Sequence, residues 1–164
     1  MRGKATRASK RITALQLSIR AATAGGLAVG IAQWLKLPFP VYALIAAVIV
    51  IDLSPAKTLQ MALQRMAGTL IGATVGAVLS YSLPPGPVEI GVSVVSAMLL
   101  SYVANAQGGA KLAGYVAGIA VMSYGANPWS YAVYRAIETF LGIAMAVLVS
   151  VVPKLLRVEA DEPE

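Results

Sequence analysis

Arg65-Met66-Ala67-Gly68-Thr69-Leu70-Ile71-Gly72 returns 70 residues later as Arg135-Ala136-Ile137-Glu138-Thr139-Phe140-Leu141-Gly142. Both stretches read R-x-x-[GE]-T-x-x-G. Working outward from them, apolar runs and chain breakers mark helices over about 10–35, 41–53, 56–83, 88–105, 111–124 and 129–152. Leu37-Pro38-Phe39-Pro40, Ser54-Pro55, Pro84-Pro85-Gly86-Pro87, Gln107-Gly108-Gly109 and Gly125-Ala126-Asn127-Pro128 separate them. Lys4, Arg7 and Arg11 fall at helical spacing, so the first helix can begin earlier, on the membrane surface. Each repeated stretch lies in the third helix of a three-helix unit. An odd number of spans makes the second unit enter from the opposite side. The expected architecture is an all-α integral membrane protein with six transmembrane helices in two inverted three-helix repeats, 12–83 and 84–152. A basic N-terminus over 1–11 and an acidic tail over 153–164 flank the repeats in a single transmembrane domain.

Composition carries the membrane reading. The chain is 58% hydrophobic and 12% charged, with mean hydropathy +0.74, against about 25% charged residues in a soluble domain. Six spans of about 20 residues leave only short loops and two tails. The net charge of +6 is concentrated in Arg2, Lys4, Arg7, Lys10 and Arg11. This cluster runs directly into an apolar segment, so it reads as an anchor on anionic lipid heads and not as a nucleic-acid surface. Five further apolar segments argue against a cleaved signal.

No Cys and no His are present. Disulfides, thiol chemistry, most transition-metal sites and imidazole catalysis are thereby excluded. No enzyme activity, metal or cofactor is expected. Lys57, Lys111, Lys154 and Arg157 join the basic N-terminus on one side, with Lys36 and Glu89 in loops on the other. The positive-inside rule then places both termini in the cytoplasm of a multi-pass cell-membrane protein. Trp34, Tyr81, Trp129 and Tyr131 fall near the outer boundary, where aromatic belts form. Helices two and five, the middle members of their units, are too short to span comfortably, a pointer to a central transport site.

Arg20, Arg65, Arg135 and Glu138 lie inside apolar segments. An embedded charge costs about 2.5 kcal/mol or more unless it faces a partner or water, and arginine does not escape by losing its proton. Arg135 and Glu138, at i and i+3, could pair on one helix face, or Glu138 could reach Arg65. On that reading the charges only lock helices, and the chain is a structural or assembly subunit. The arginines outnumber the embedded acid, which favours a path for organic anions, with a carboxylate as the natural solute. Thr69 and Thr139 either line that path or bond back to the carbonyl four residues earlier. Asp52 is expected to pair with Lys57. Gly68, Gly72 and Gly76, Gly114 and Gly118, and Gly26 and Gly30 form small-residue faces for close helix contact, within the chain or in an expected homodimer.

Three stretches carry a family resemblance. They are Leu37-Pro38-Phe39-Pro40-Val41-Tyr42, then Leu53-Ser54-Pro55 followed by Thr58, Ala62, Arg65, Gly68, Thr69 and Gly72, and finally Arg135-x-x-Glu138-Thr139-x-x-Gly142. Over about 12–152 the chain resembles the fusaric acid resistance / aromatic acid exporter superfamily, as a half-size, six-helix member related to the aluminium-activated malate transporters. The resemblance implies export of aromatic or other organic acids, a dimeric assembly, and a pore lined by basic residues of the third and sixth helices. Arg65 and Arg135 stand at those positions. Many members carry a cytoplasmic domain or a second six-helix half, which this sequence does not show.

Overall fold

The computed structural model describes residues 2–124 and 127–152. The expected acidic tail, Lys154, Arg157 and the turn centre Gly125-Ala126 lie outside the described residues, as do the side chains of Arg2, Lys4, Arg7 and Lys10. Six α-helices and one 3-10 turn, with no strand, make up the described secondary structure. They are α1 (Arg2–Trp34), α2 (Pro40–Val50), α3 (Pro55–Leu79), α4 (Pro87–Val103), the 3-10 turn Gln107–Gly109, α5 (Ala110–Tyr124) and α6 (Pro128–Val151).

Proline sets four of the starts. Pro40, Pro55, Pro87 and Pro128 each open a helix, where the missing N–H has no partner to lose and φ is already helical. Two ends share another device. Lys36 (φ 53°) and Asn105 (φ 57°) take the left-handed conformation after α1 and α4. The Leu37 N–H then reaches Ala32 O and the Ala106 N–H reaches Ser101 O, both at about 2.9 Å, closing the last turns. Some details differ from the sequence expectation. Glu89 lies in the first turn of α4, not in a loop, and is buried. Asp52 accepts the Ser54 N–H at 2.9 Å and donates its own N–H to Thr58 Oγ1. It therefore shapes the α2–α3 turn, and it makes no ion pair with Lys57. Ser54 precedes α3 without a side-chain capping bond.

Three helices are long and apolar enough to cross a membrane: Arg11–Trp34, Pro55–Leu79 and Pro128–Val151. The others are shorter. At 11 residues, α2 extends about 16 Å, roughly half of a hydrocarbon core.

α3 and α6 meet at the centre. α2 packs along α6, and α5 along α3. α1 covers α2 and α6, while α4 covers α5 and α3. The backbones of α2 and α5 do not come close to each other among the described residues. Alanine is the commonest buried residue: Ala24, Ala28, Ala43, Ala47 and Ala146 belong to one cluster, with Val50 and Ile51, and Ala97, Ala113 and Ala117 form another. Large apolar side chains point outward, among them Leu63, Val95, Phe140 and Leu148. Water would penalise such an exterior; lipid does not, and small interior residues let helix backbones approach. A Cβ on Gly72 would strike the backbone of Ala113, and one on Gly142 the backbone of Ala43. Gly68 and Gly76 extend the α3–α5 contact. Gly114 and Gly118 instead face α4, through Met98, Val94 and Ile90. Gly26 and Gly30 have no atom within 4 Å.

Candidate functional site

Within each repeated stretch one helix face turns inward: Arg65, Gly68, Thr69 and Gly72 on α3, and Arg135, Glu138, Thr139 and Gly142 on α6. That i, i+3, i+4, i+7 spacing is a helical stripe. Because α3 and α6 are the central pair, the stripe buries both arginines, leaving 5% of Arg65 and 1% of Arg135 exposed.

Arg135 meets side chains from both α2 and α5. From α2, the Tyr42 ring lies under its guanidinium, with Cζ 3.5 Å from the ring centroid. From α5, the Tyr115 ring stands 5.9 Å away, and its hydroxyl accepts from Nη2 at 3.5 Å, the long end of the hydrogen-bond range. Tyr42 is braced by Tyr131, edge-on at 6.3 Å, and by Phe39 at 5.9 Å. Arg135 Nε and Nη1 have no hydrogen-bond partner.

Arg65 lies beside the same Tyr115 side chain and near enough to Arg135 for the two charges to repel. Tyr115 thus stands between two guanidiniums. Nε and Nη2 of Arg65 are buried and have no partner. These two nitrogens form one edge of the guanidinium, the edge that grips a carboxylate with two parallel bonds. Arg65 also lines a half-open hollow of about 170 Å³, with Ile49, Met61, Gln64, Gly108 and Leu112.

Thr69 and Thr139 are fully buried, and their hydroxyls have no partner. The back-bond to the preceding turn is not formed in either. Glu138, also fully buried, is hydrogen-bonded to neither arginine. Its Oε1 accepts the Phe39 N–H at 2.7 Å, and its Oε2 has no partner.

Arg20 stands apart from this group. Its Nη2 donates to Val152 O at 2.7 Å, and its Nη1 to Leu53 O and Ser150 O at 3.5 Å. These carbonyls lie where α2 and α6 finish, the negative ends of the helix dipoles, where a cation is favoured. Arg20→Gln should lower the unfolding temperature of detergent-solubilised protein by several degrees, since bonds to a charged donor contribute about 1.5–3 kcal/mol. Circular dichroism melting checks this, and an unchanged melt would remove the clamp.

Tyr42 and Tyr115 are the residues that sequence reasoning missed as site members. The only signal was a tyrosine near the start of one short middle helix and within the other. No group of three or more potential metal ligands occurs among the described residues. The buried polar atoms without partners here are guanidinium nitrogens of Arg65 and Arg135, the hydroxyls of Thr69 and Thr139, and Glu138 Oε2.

An outward apolar surface, a small-residue interior and three helices of spanning length define a multi-pass helical membrane protein. The chain belongs to the fusaric acid resistance protein-like family, which matches residues 27–149. Membership suggests membrane transport or efflux. It is also similar to the Bacillus subtilis (strain 168) UPF0421 protein YgaE, 27% identical over 127 residues, or 77% of this chain and 36% of that protein. The chain therefore spans little more than a third of that relative's length. No solved structure matches it.

Proposed function

We propose that the protein moves organic carboxylate anions, aromatic ones included, across the cell membrane in the direction of efflux, along a path bearing Arg65 and Arg135. The buried, unpartnered Nε–Nη2 edge of Arg65, a residue that also lines a hollow, carries this reading. A guanidinium at membrane depth with an idle fork is costly unless water or an anion meets it. Thr69, Thr139 and Arg135 add further buried polar atoms without partners between α3 and α6. The assembly-subunit reading relies on arginine–glutamate locking, and no hydrogen bond joins Glu138 to Arg65 or Arg135.

Six spans in two inverted repeats, with both termini cytoplasmic, is the arrangement that suits this role. Its support is a matched pair of contacts. Gly72 meets Ala113, and Gly142 meets Ala43; each residue of one pair stands 70 positions from its counterpart in the other. The same offset relates Gly68 on Gly109 to Glu138 on Phe39. A homodimer is supported by Gly26 and Gly30, whose face is left uncovered within the chain.

Purified protein in liposomes, loaded with labelled benzoate, tests the function. Saturable release above protein-free vesicles, with no matching release of potassium, is expected. Release no faster than from empty vesicles would overturn the reading.

A further inference from the structure

The structure of α2 points to a role for Glu138 that the anion path does not use. α2 begins at Phe39-Pro40, and no side chain of its own caps that end. The N–H groups of a helix start point outward and carry partial positive charge, so a carboxylate is the natural partner. Glu138 supplies it from α6, through the 2.7 Å bond to Phe39 N. At the other end, Arg20 from α1 takes Leu53 O just beyond α2, together with Ser150 O and Val152 O at the end of α6. A helix of 11 residues is thus held by a buried acid at its positive end and a buried base past its negative end.

The second repeat does the same job without charge. Gly68 stands where Glu138 does, and Gly109 where Phe39 does, and there the two backbones meet directly. Close contact holds α5; bonds to charged side chains hold α2. What α2 carries explains why this matters. Tyr42, three residues beyond Phe39, lies on the Arg135 guanidinium at 3.5 Å. The ring fixes the guanidinium plane and hence the direction of the unpartnered Nε and Nη1.

We propose that Glu138 is a positioning residue: by holding the start of α2 it sets Tyr42 on Arg135, and so orients the donors that meet the carboxylate, without touching the solute itself. This inference rests on the arginine site proposed above.

The chain has no cysteine, so Val41→Cys on α2 and Phe140→Cys on α6, both outward-facing, accept spin labels cleanly. In the full-length protein, Glu138→Ala should broaden the distance distribution between them. In liposomes it should raise KM for benzoate about tenfold with little change in turnover, as expected for loss of one charge-assisted bond. Tyr42→Ala should raise KM similarly while the distance stays narrow. Glu138→Gln keeps an acceptor oxygen for Phe39 N–H and should restore both the narrow distance and the KM. An unchanged distance in Glu138→Ala would overturn the proposal. So would a Glu138→Gln protein with narrow distance but lost flux, because the charge itself would then be meeting the solute. Should Glu138→Ala not fold, the Glu138→Gln arm decides alone. If the unaltered protein carried no flux, the arginine reading would fail, while the distance measurement would still decide whether Glu138 sets α2.

Discussion

Replacing Arg65 by alanine is expected to lower benzoate flux about a hundredfold per folded molecule, while the protein still purifies and melts near the parent temperature. The two halves of this expectation have separate causes. Two parallel charge-assisted bonds to a carboxylate are worth about 3 kcal/mol together, and each 1.4 kcal/mol is a factor of ten. Stability should suffer little, because two of the three guanidinium nitrogens have no partner to abandon, and removing an embedded charge is favourable in itself. Arg65→Lys should fall between, since an ammonium keeps the charge but loses the fork. Arg135→Ala should behave differently. Its guanidinium rests on Tyr42 and meets Tyr115, so both melting temperature and flux should drop. Initial rates of labelled benzoate release, normalised to folded protein by gel filtration, make the comparison. Flux unaltered in Arg65→Ala would end the idea of an arginine-lined path.

The second large effect concerns a single methyl group. Gly72→Ala should destabilise the protein by about 2 kcal/mol, in the range of overpacked cores, and Gly72→Leu should prevent recovery of folded material. The new Cβ would meet Ala113 O, with Ala113 Cα at 2.8 Å and Val116 Cβ at 2.9 Å. Backbone atoms do not swing aside as a flexible side-chain end does. α3 and α5 would have to separate, and Gly68 and Gly76 share the same seam. Gly91→Ala on α4 is the control: a Cβ there would meet nothing within 4 Å, and alanine is the better helix residue. Melting followed by tryptophan fluorescence in detergent separates the two. Equal melting of Gly72→Ala and the parent would mean that the seam is looser than these distances require.

Much of the framework could be read from the chain alone. Proline at a helix start and paired breakers act locally, so α2 to α6 begin and end within four residues of their expected places, while α1 begins at Arg2, ahead of the expected start near 10. A charge in an apolar run is conspicuous, so Arg65 and Arg135 stood out, and the structure places both beside Tyr115. The partners of Glu138 and Arg20 were hidden for a physical reason. They are backbone groups, 99 residues away for Glu138 and 33, 130 and 132 residues away for Arg20, and a backbone group leaves no signature in the sequence. The alternative reading, in which Glu138 pairs with an arginine, considers only side chains. Tyr42 and Tyr115 were inconspicuous because an aromatic ring in an apolar helix looks like any other bulky residue until its neighbours are known. Glu89 was counted with an outer loop although the helix expected over 88–105 already contains it, and it lies in the first turn of α4.

The alanine-rich interior under a coat of leucine, valine and phenylalanine has a thermal consequence. If helices part while remaining in lipid, apolar surface passes from protein to acyl chains and not to water. The hydration that makes unfolding enthalpy rise with temperature in water-soluble domains is then largely missing. Separation of the helices would carry a small heat-capacity change, so stability would fall almost linearly with temperature, without the dome that produces cold denaturation.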